Sequence, residues 1–244
     1  LEVGNLSTAS GHLNDVSIQV REGEIVGLAG LVGSGKSELL RACFGLDEIS
    51  QGYVLFRGEN VTGFKPRQML DRGFFYNPPD RKNEGLAMIR SCRENMTLPS
   101  LDRKAFSFGP FLRRRAETLS AQGLASKLQL QPMNIEREVE HFSGGNQQKV
   151  LLAKCLTRDV KLYVFDEPTV GVDVGTRSEI YKFIAELCES GAAVVLISSD
   201  LPEVLHLSNR AYVMYRGELK AELHGDEITE NNLLKHFFER EGES

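Results

Sequence analysis

The stretch Gly30-Leu31-Val32-Gly33-Ser34-Gly35-Lys36-Ser37 constrains this chain more than any other. It fits G-x-x-x-x-G-K-[ST] in full, and its flanks match the same reading. Ile25-Val26-Gly27-Leu28-Ala29 before it is a continuous apolar run, the pattern of a buried strand. Ser37 to Phe44 after it reads as a helix that Gly45 ends. Glycines at these positions let the backbone curl so that successive N–H groups point inward, and the helix start adds partial positive charge. Phosphate oxygens suit such a cradle. The expected contacts are Gly30, Val32, Gly33, Ser34 and Gly35 in the loop, and Lys36, Ser37 and Glu38 at the helix start. Lys36 brings a point charge to β- and γ-phosphates, and Ser37 offers its hydroxyl to Mg²⁺.

A second apolar strand, Leu162 to Phe165, runs into Asp166-Glu167-Pro168. A carboxylate at the end of a buried strand suits a cation held opposite Ser37. Asp166 takes that role. Glu167, its neighbour, is placed to orient or deprotonate an attacking water. Two acids at a strand end are ordinarily a solvated loop; the phosphate loop upstream favours the chemical reading.

A further helix starts at Ser143-Gly144-Gly145-Asn146-Gln147 and runs through Cys155. A serine hydroxyl and the free N–H groups of a helix start make another anion site. One nucleotide needs only one such loop. The second is therefore expected to serve a nucleotide held by another subunit.

Composition narrows the partners. With 29 basic and 34 acidic residues the net charge is −5, which disfavours a general nucleic-acid binder. Cys43, Cys92, Cys155 and Cys188 form no C-x-x-C pair, so reduced thiols are expected rather than a zinc or redox site. The apolar run at Gly191–Ile197 is far too short to cross a membrane. The chain opens Leu1-Glu2-Val3 without Met and reads as a piece of a longer one.

Strand patterns recur at Val16–Val20, Tyr53–Phe56, Phe74–Tyr76 and Ala192–Ile197. Arg210–Tyr215 with Gly217–Leu223 reads as a terminal hairpin. Helical patterns occupy Ile180–Cys188 and Ile228–Glu239, the last with an acidic tail. Residues 92–131 are helical, with loop-like breaks at Pro99-Ser100 and Phe108-Gly109-Pro110. Strands alternating with helices predict a largely parallel sheet covered on both faces, interrupted by a helical insertion. Arg113-Arg114-Arg115 in that insertion is either a solvated helix face or a contact for an acidic partner.

The ordered set GLVGSGKS, FSGGNQQKV, VFDEP and GVDVGTR closely resembles the ABC-type ATPases, the nucleotide-binding domains of transporters. The likeness covers essentially the whole chain. It implies an α/β fold: a P-loop NTPase core with a mainly parallel sheet, an N-terminal antiparallel β part and an inserted α-helical subdomain. It implies a single domain over residues 1–244, with the core at about 1–90 and 157–244 and the helical subdomain at about 91–156. Ser143, Gly144, Gly145, Asn146 and Gln147 match the family's signature motif, which meets the γ-phosphate across a head-to-tail dimer. Asp173 matches the loop that lines the dimer interface. ATP and Mg²⁺ are the implied ligands, and Glu167 with Lys36 the implied catalytic pair.

Pro78-Pro79-Asp80-Arg81-Lys82-Asn83-Glu84-Gly85-Leu86 is similar to a segment of bacterial monosaccharide importers of the ribose, galactose and xylose group, in the second of their two ATPase halves. The resemblance implies a second ATPase half, integral membrane permease subunits and, indirectly, a periplasmic sugar-binding protein. It places the domain peripherally on the cytoplasmic face of the inner membrane. Repair-type ATPases carry long coiled-coil insertions, for which Asp80 to Ser143 leaves no room. A small-molecule kinase with the same phosphate loop has no use for S-G-G-N-Q.

The chain departs from the family pattern at three places. Ser199 stands where a switch histidine grips the γ-phosphate. Pro79 stands at the position of a loop glutamine. Ser7 and Thr8 lie about where an aromatic stacks on adenine, and His12 is no strong platform either. The expectation is a domain that binds nucleotide, turns over slowly at its own site, and lends an intact signature to its partner.

Overall fold

The computed structural model describes residues 1–237. In chain order the elements are β1 (Glu2–Thr8), β2 (Val16–Gln19), β3 (Ile25–Ala29), α1 (Lys36–Phe44), β4 (Ile49–Phe56), β5 (Glu59–Asn60), α2 (Pro66–Asp71), β6 (Phe74–Asn77), α3 (Cys92–Thr97), β7 (Ser107–Phe108), β8 (Phe111–Leu112), α4 (Arg114–Lys127), α5 (Gly144–Cys155), β9 (Leu162–Asp166), α6 (Val174–Glu189), β10 (Ala193–Ser198), α7 (Leu201–Leu207), β11 (Arg210–Tyr215), β12 (Glu218–His224) and α8 (Glu230–Lys235). No described helix is long and apolar enough to cross a membrane.

The chain divides into two compact units. The first comprises Leu1–Tyr76, Lys161–Glu167 and Tyr181–Ser244, of which the structure describes residues up to 237. It holds a six-stranded sheet in the order β12-β11-β3-β10-β9-β6 and a four-stranded sheet in the order β2-β1-β4-β5. β11, β3, β10 and β9 run parallel, and β12 closes one edge antiparallel. β3, β9 and β10 are buried at every residue, which is why they read as unbroken apolar runs rather than alternating ones. β2 alternates buried and exposed, as a strand with one solvated face must. β1 pairs antiparallel with both β2 and β4, and side chains of the two sheets share one core.

Strand register decides where the loops beyond the sheet emerge. Ile197 of β10 lies opposite Asp166 of β9, and Ser198 lies opposite Ala29 of β3. The phosphate loop, Glu167 and Ser199 therefore leave the sheet at the same edge, the carboxyl ends of parallel strands, where open α/β sheets collect ligands.

The second unit comprises Asn77–Val160 and Pro168–Ile180. Its core is built from α3, α4 and α5 around Met96, Ala121, Ala125, Val150 and Leu151. Ser91 caps α3 by accepting from Glu94 N, while the Glu94 side chain accepts from Ser91 N. The break expected at Phe108-Gly109-Pro110 is a hairpin, β7 to β8, with Phe108 and Phe111 exposed. The second helix of the middle starts at Arg114, and Arg113, Arg114 and Arg115 are all exposed.

Several boundaries differ from the sequence reading. β1 carries no strand pattern, β4 begins at Ile49 rather than Tyr53, and α6 begins at Val174 rather than Ile180. The closing helix spans Glu230–Lys235, and the acidic tail lies outside the described residues.

Candidate nucleotide site

In the first unit the phosphate loop curls as its sequence requires. Gly33 and Gly35 sit at φ 79° and 102°, in the left-handed region that a side chain strains to enter. Gly35 then starts α1. Lys36 is buried, and its Nζ donates to the carbonyls of Gly30 and Leu31, the latter at 3.0 Å. Burial pulls its ammonium below the ordinary lysine range, opposed by the Glu167 and Asp166 carboxylates. The Ser34 hydroxyl is buried without a partner. A desolvated cation and an orphaned donor on one loop are what an anion would satisfy. Val32 and Glu38 flank this cradle; Val32 is 89% exposed and Glu38 lies in the first turn of α1.

Asp166 ends β9 with 1% exposure. Ser37 Oγ donates to its Oδ1 at 3.0 Å, and Tyr76 OH donates to Oδ2 at 2.6 Å. Burial pushes its carboxyl up to about 6, against the pull of those two donors. A serine hydroxyl and a desolvated carboxylate are hard oxygen donors that suit Mg²⁺. Since burial outweighs what its two donors return to the charged form, Asp166→Asn is expected to raise the melting temperature of the nucleotide-free protein by about 2–4 °C, roughly 1 kcal/mol. The same change is expected to erase the further stabilisation by Mg²⁺ with ATP. Thermal unfolding with and without both ligands reads the two effects; a lower nucleotide-free midpoint would count against the assignment.

Glu167 comes next at φ 48°, an uncommon backbone for a residue with a side chain. Its N–H donates to Ile197 O at 2.9 Å, and two groups of Ser199 hold its side chain: the Ser199 N–H donates to Glu167 Oε1 at 2.9 Å and the Ser199 Oγ at 2.7 Å. Ser199, at the position where the family resemblance leads one to expect a histidine, thus grips the carboxylate.

The second unit carries the helix start expected to meet a second anion. Ser143 caps α5, accepting from Asn146 N at 3.4 Å and from Asn146 Nδ2 at 3.0 Å. Asn146 Oδ1 accepts from Gln131 N at 2.8 Å, and Gln147 Nε2 donates to Phe142 O at 3.0 Å. These two amides are engaged in shaping the loop, so the backbone N–H groups of Gly144 and Gly145 are what the helix start offers a ligand. A Cβ on Gly145 would stand 2.6 Å from Thr176 Oγ1 and 3.2 Å from Asp173 Oδ2. Asp173 itself caps α6, accepting from Thr176 N and Thr176 Oγ1, both at 2.9 Å, which holds its carboxyl below the usual range.

Sequence alone does not mark Asn77. It ends β6 with 1% exposure, and neither atom of its amide has a partner. It is the polar side chain at that strand end, two residues before Pro79. A lone Asn before two prolines gives no signal in a sequence. Near the expected adenine platform, Thr8 is buried, its Oγ1 accepting from Leu13 N and from Ser10 Oγ. His12 is exposed.

Comparison with known proteins agrees with this geometry. The ribose import ATP-binding protein RbsA of Oceanobacillus iheyensis is 40% identical over 236 residues, covering 97% of this chain and 47% of that protein. The ribose import ATP-binding protein RbsA 2 of Mesorhizobium japonicum is 42% identical, over 97% of this chain and 46% of its own. The chain thus spans about half the length of these relatives. A crystal structure of a nucleotide-free ATP-binding cassette from an ABC transporter superposes with a TM-score of 0.80 at 26% identity, covering 96% of this chain and 94% of that one. The family model for ABC transporter matches residues 13–170, a span that takes in the phosphate loop, the α5 start at Ser143 and the β9 carboxylates; the chain belongs to the ABC transporter family.

Proposed function

We propose that this chain is an ATP-binding and ATP-hydrolysing motor of a monosaccharide importer, acting head-to-tail with a second cassette beneath membrane permease subunits. The observation that carries this reading is the pair of glycine-rich helix starts in separate units, α1 behind the phosphate loop and α5 behind Ser143. A nucleotide on one cassette's phosphate loop then meets the other cassette's signature, and binding closes the pair. The names of the relatives, which are import ATP-binding proteins, give the class of cargo.

At this chain's own phosphate loop, Lys36 leaves the carbonyls of Gly30 and Leu31 for the β- and γ-phosphates. Ser37 and Asp166 would hold Mg²⁺, which when bound offsets phosphate charge. Glu167 orients the attacking water and accepts its proton, and Ser199 fixes the angle of that carboxylate. Ser199 supplies no imidazole to the γ-phosphate, so turnover here is slow relative to the opposite site, which borrows Ser143, Gly144 and Gly145.

Glu167→Gln in the full-length protein is accordingly expected to lower steady-state ATP turnover only partly, about threefold to tenfold, because one of two sites is affected. Ser199→Ala should cost less, since the Ser199 N–H still holds Glu167. Single-turnover assays that show Glu167→Gln to abolish hydrolysis would end the asymmetric assignment.

The function itself is tested by reconstituting the full-length protein with the membrane subunits that copurify with it, and measuring ATP-dependent uptake of labelled pentose and hexose. ATP turnover with no membrane subunit attached would favour a soluble cassette of another class.

The cytoplasmic membrane face as location, and a periplasmic sugar-binding protein as indirect partner, follow from this reading. The sugar is chosen by those other subunits. Nucleic acid has no role in it.

A further inference from the structure

We infer that Arg81 is a positioning residue that locks the signature loop and the Asp173 loop into one body, and that the Asp80–Gly85 segment exists to hold it there. This rests on the reading of both loops as the face offered to a second cassette.

All of the contacts lie within the second unit. The Arg81 guanidinium donates through Nη1 to Val170 O at 2.7 Å, through Nη2 to Gly171 O at 3.2 Å, and through Nε to Gln147 Oε1 at 3.5 Å. The first two acceptors are backbone of the loop that leads to Asp173. The third is the side chain in the first turn of α5 that itself donates to Phe142 O. One planar fork therefore ties together two segments that are far apart in sequence. A lysine, with a single ammonium, cannot span three acceptors in a plane.

The surroundings are shaped to admit this group. A Cβ on Gly144 would meet Arg81 Nη2 and Gly171 O, each at 2.9 Å. A Cβ on Gly171, at φ 70°, would meet Arg81 Nη2 at 3.2 Å. Glycine at these two positions leaves the guanidinium its place between the loops.

The segment that presents Arg81 is itself anchored. Asp80 Oδ1 accepts from Lys82 N and Asn83 N, both at 3.0 Å, and Asp80 Oδ2 accepts from Asn83 Nδ2 at 2.6 Å. This starts the single π-helical turn Arg81–Gly85, closed by Gly85 N donating to Asp80 O at 3.0 Å. At its far end Gly85 O accepts from Lys154 Nζ at 2.5 Å, and a Cβ on Gly85 would meet Leu151 Cδ1 at 2.8 Å. Gln147 and Lys154 lie two turns apart on one face of α5, so the segment grips that helix at both ends. The Asp-Arg-x-x-x-Gly pattern thus divides the work among its residues. Asp80 forms the turn, Arg81 bridges the loops, and Gly85 lets the turn lie against α5.

The test uses the full-length protein and the variants Arg81→Lys and Arg81→Met. Hydrogen exchange of residues 143–148 and 169–173 should quicken together in both variants, by about tenfold or more, the scale of losing hydrogen bonds from an ionised donor. ATP turnover should fall about tenfold, while the affinity of this chain's phosphate loop for Mg-ATP stays within about twofold of wild type. A merely structural role would lower the unfolding midpoint without that split between turnover and binding. Exchange that quickens in only one of the two segments, or Arg81→Lys matching wild type in turnover, would overturn the inference. If the exchange result holds but Gly145→Asp leaves turnover intact, the brace stands and the functional reading falls. If Gly145→Asp is inactive and the exchange rates do not move, the brace alone falls.

Discussion

Gly145→Asp is expected to lower ATP turnover of the full-length protein by about a hundredfold or more, the cost of losing oriented donors around a transferring phosphoryl group. Two physical effects act together. Gly145 is buried, and a Cβ there would lie 2.6 Å from Thr176 Oγ1, so the start of α5 must shift away from the start of α6. The new carboxylate also lies at a helix start whose free N–H groups attract anions, and it occupies them in place of phosphate. It stands close to Asp173 as well, whose carboxyl the Thr176 N–H and hydroxyl hold below the usual range. Nucleotide binding to this chain's own phosphate loop should persist, because Lys36 and Ser37 belong to the other unit. Gly145→Ala separates the effects: it carries the steric part without the charge and should fall between wild type and Asp. Turnover of Gly145→Asp within threefold of wild type would show that the signature loop is not part of the reacting site.

The sheet centre and the phosphate loop are legible in the sequence because burial on both faces leaves an unbroken apolar run, and because glycine spacing is forced by backbone geometry. β3, β9 and β10 match their sequence runs within a residue or so. β1 is not legible. Its register shifts between Val3 and Leu6, and Asn5 sits at φ 49°, so the two-residue alternation that marks a strand is broken in its middle. β4 starts early because Ile49 and Gln51 pair with β1, but Ile49 is only half-buried and the residues from Ser50 to Tyr53 are exposed, so no apolar pattern marks that stretch. α6 starts early for a different reason. The Asp173 side chain caps it, but its first turns are largely solvated, with Val174 81% exposed, so the apolar period begins only at Ile180. β7 and β8 are two residues each, shorter than any periodicity can register.

The site divides in the same way. Residues fixed by a local motif, such as Lys36 and Ser37, can be placed from spacing. Residues whose role depends on a partner from another strand cannot. Ser199 looks like a deficit beside the family pattern, yet its N–H and hydroxyl both hold Glu167. Asn77 gives no signal at all, because an unpartnered buried amide is a property of the packed state. Arg81 is visible within a family-like string, but the carbonyls of Val170 and Gly171 that give it a purpose lie 89 and 90 residues away.

Lys36→Ala is expected to weaken Mg-ATP binding at this chain's phosphate loop by about a hundredfold, the scale of removing a desolvated cation from a phosphate contact. The nucleotide-free fold should tolerate the change. Lys36 is 4% exposed, and burial works against its charge more than the Glu167 and Asp166 carboxylates support it, while its Nζ donates to the carbonyls of Gly30 and Leu31. Removing it relieves that desolvation and leaves two carbonyls at a loop that water can reach, so the unfolding midpoint should change by no more than about 3 °C, roughly 1 kcal/mol. Loss of affinity with retained stability is the pattern of a ligand-directed group rather than a core one. Titration with a fluorescent ATP analogue beside thermal unfolding of the same sample reads both. In the full-length protein the consequences should be uneven. On the proposed head-to-tail reading, Ser143 to Gly145 are untouched by the change, so the opposite nucleotide would keep its donors and part of the turnover should survive. Affinity within threefold of wild type would show that the loop carbonyls keep Lys36 for themselves. Complete loss of turnover together with lost binding would instead show that both sites must fill before either reacts.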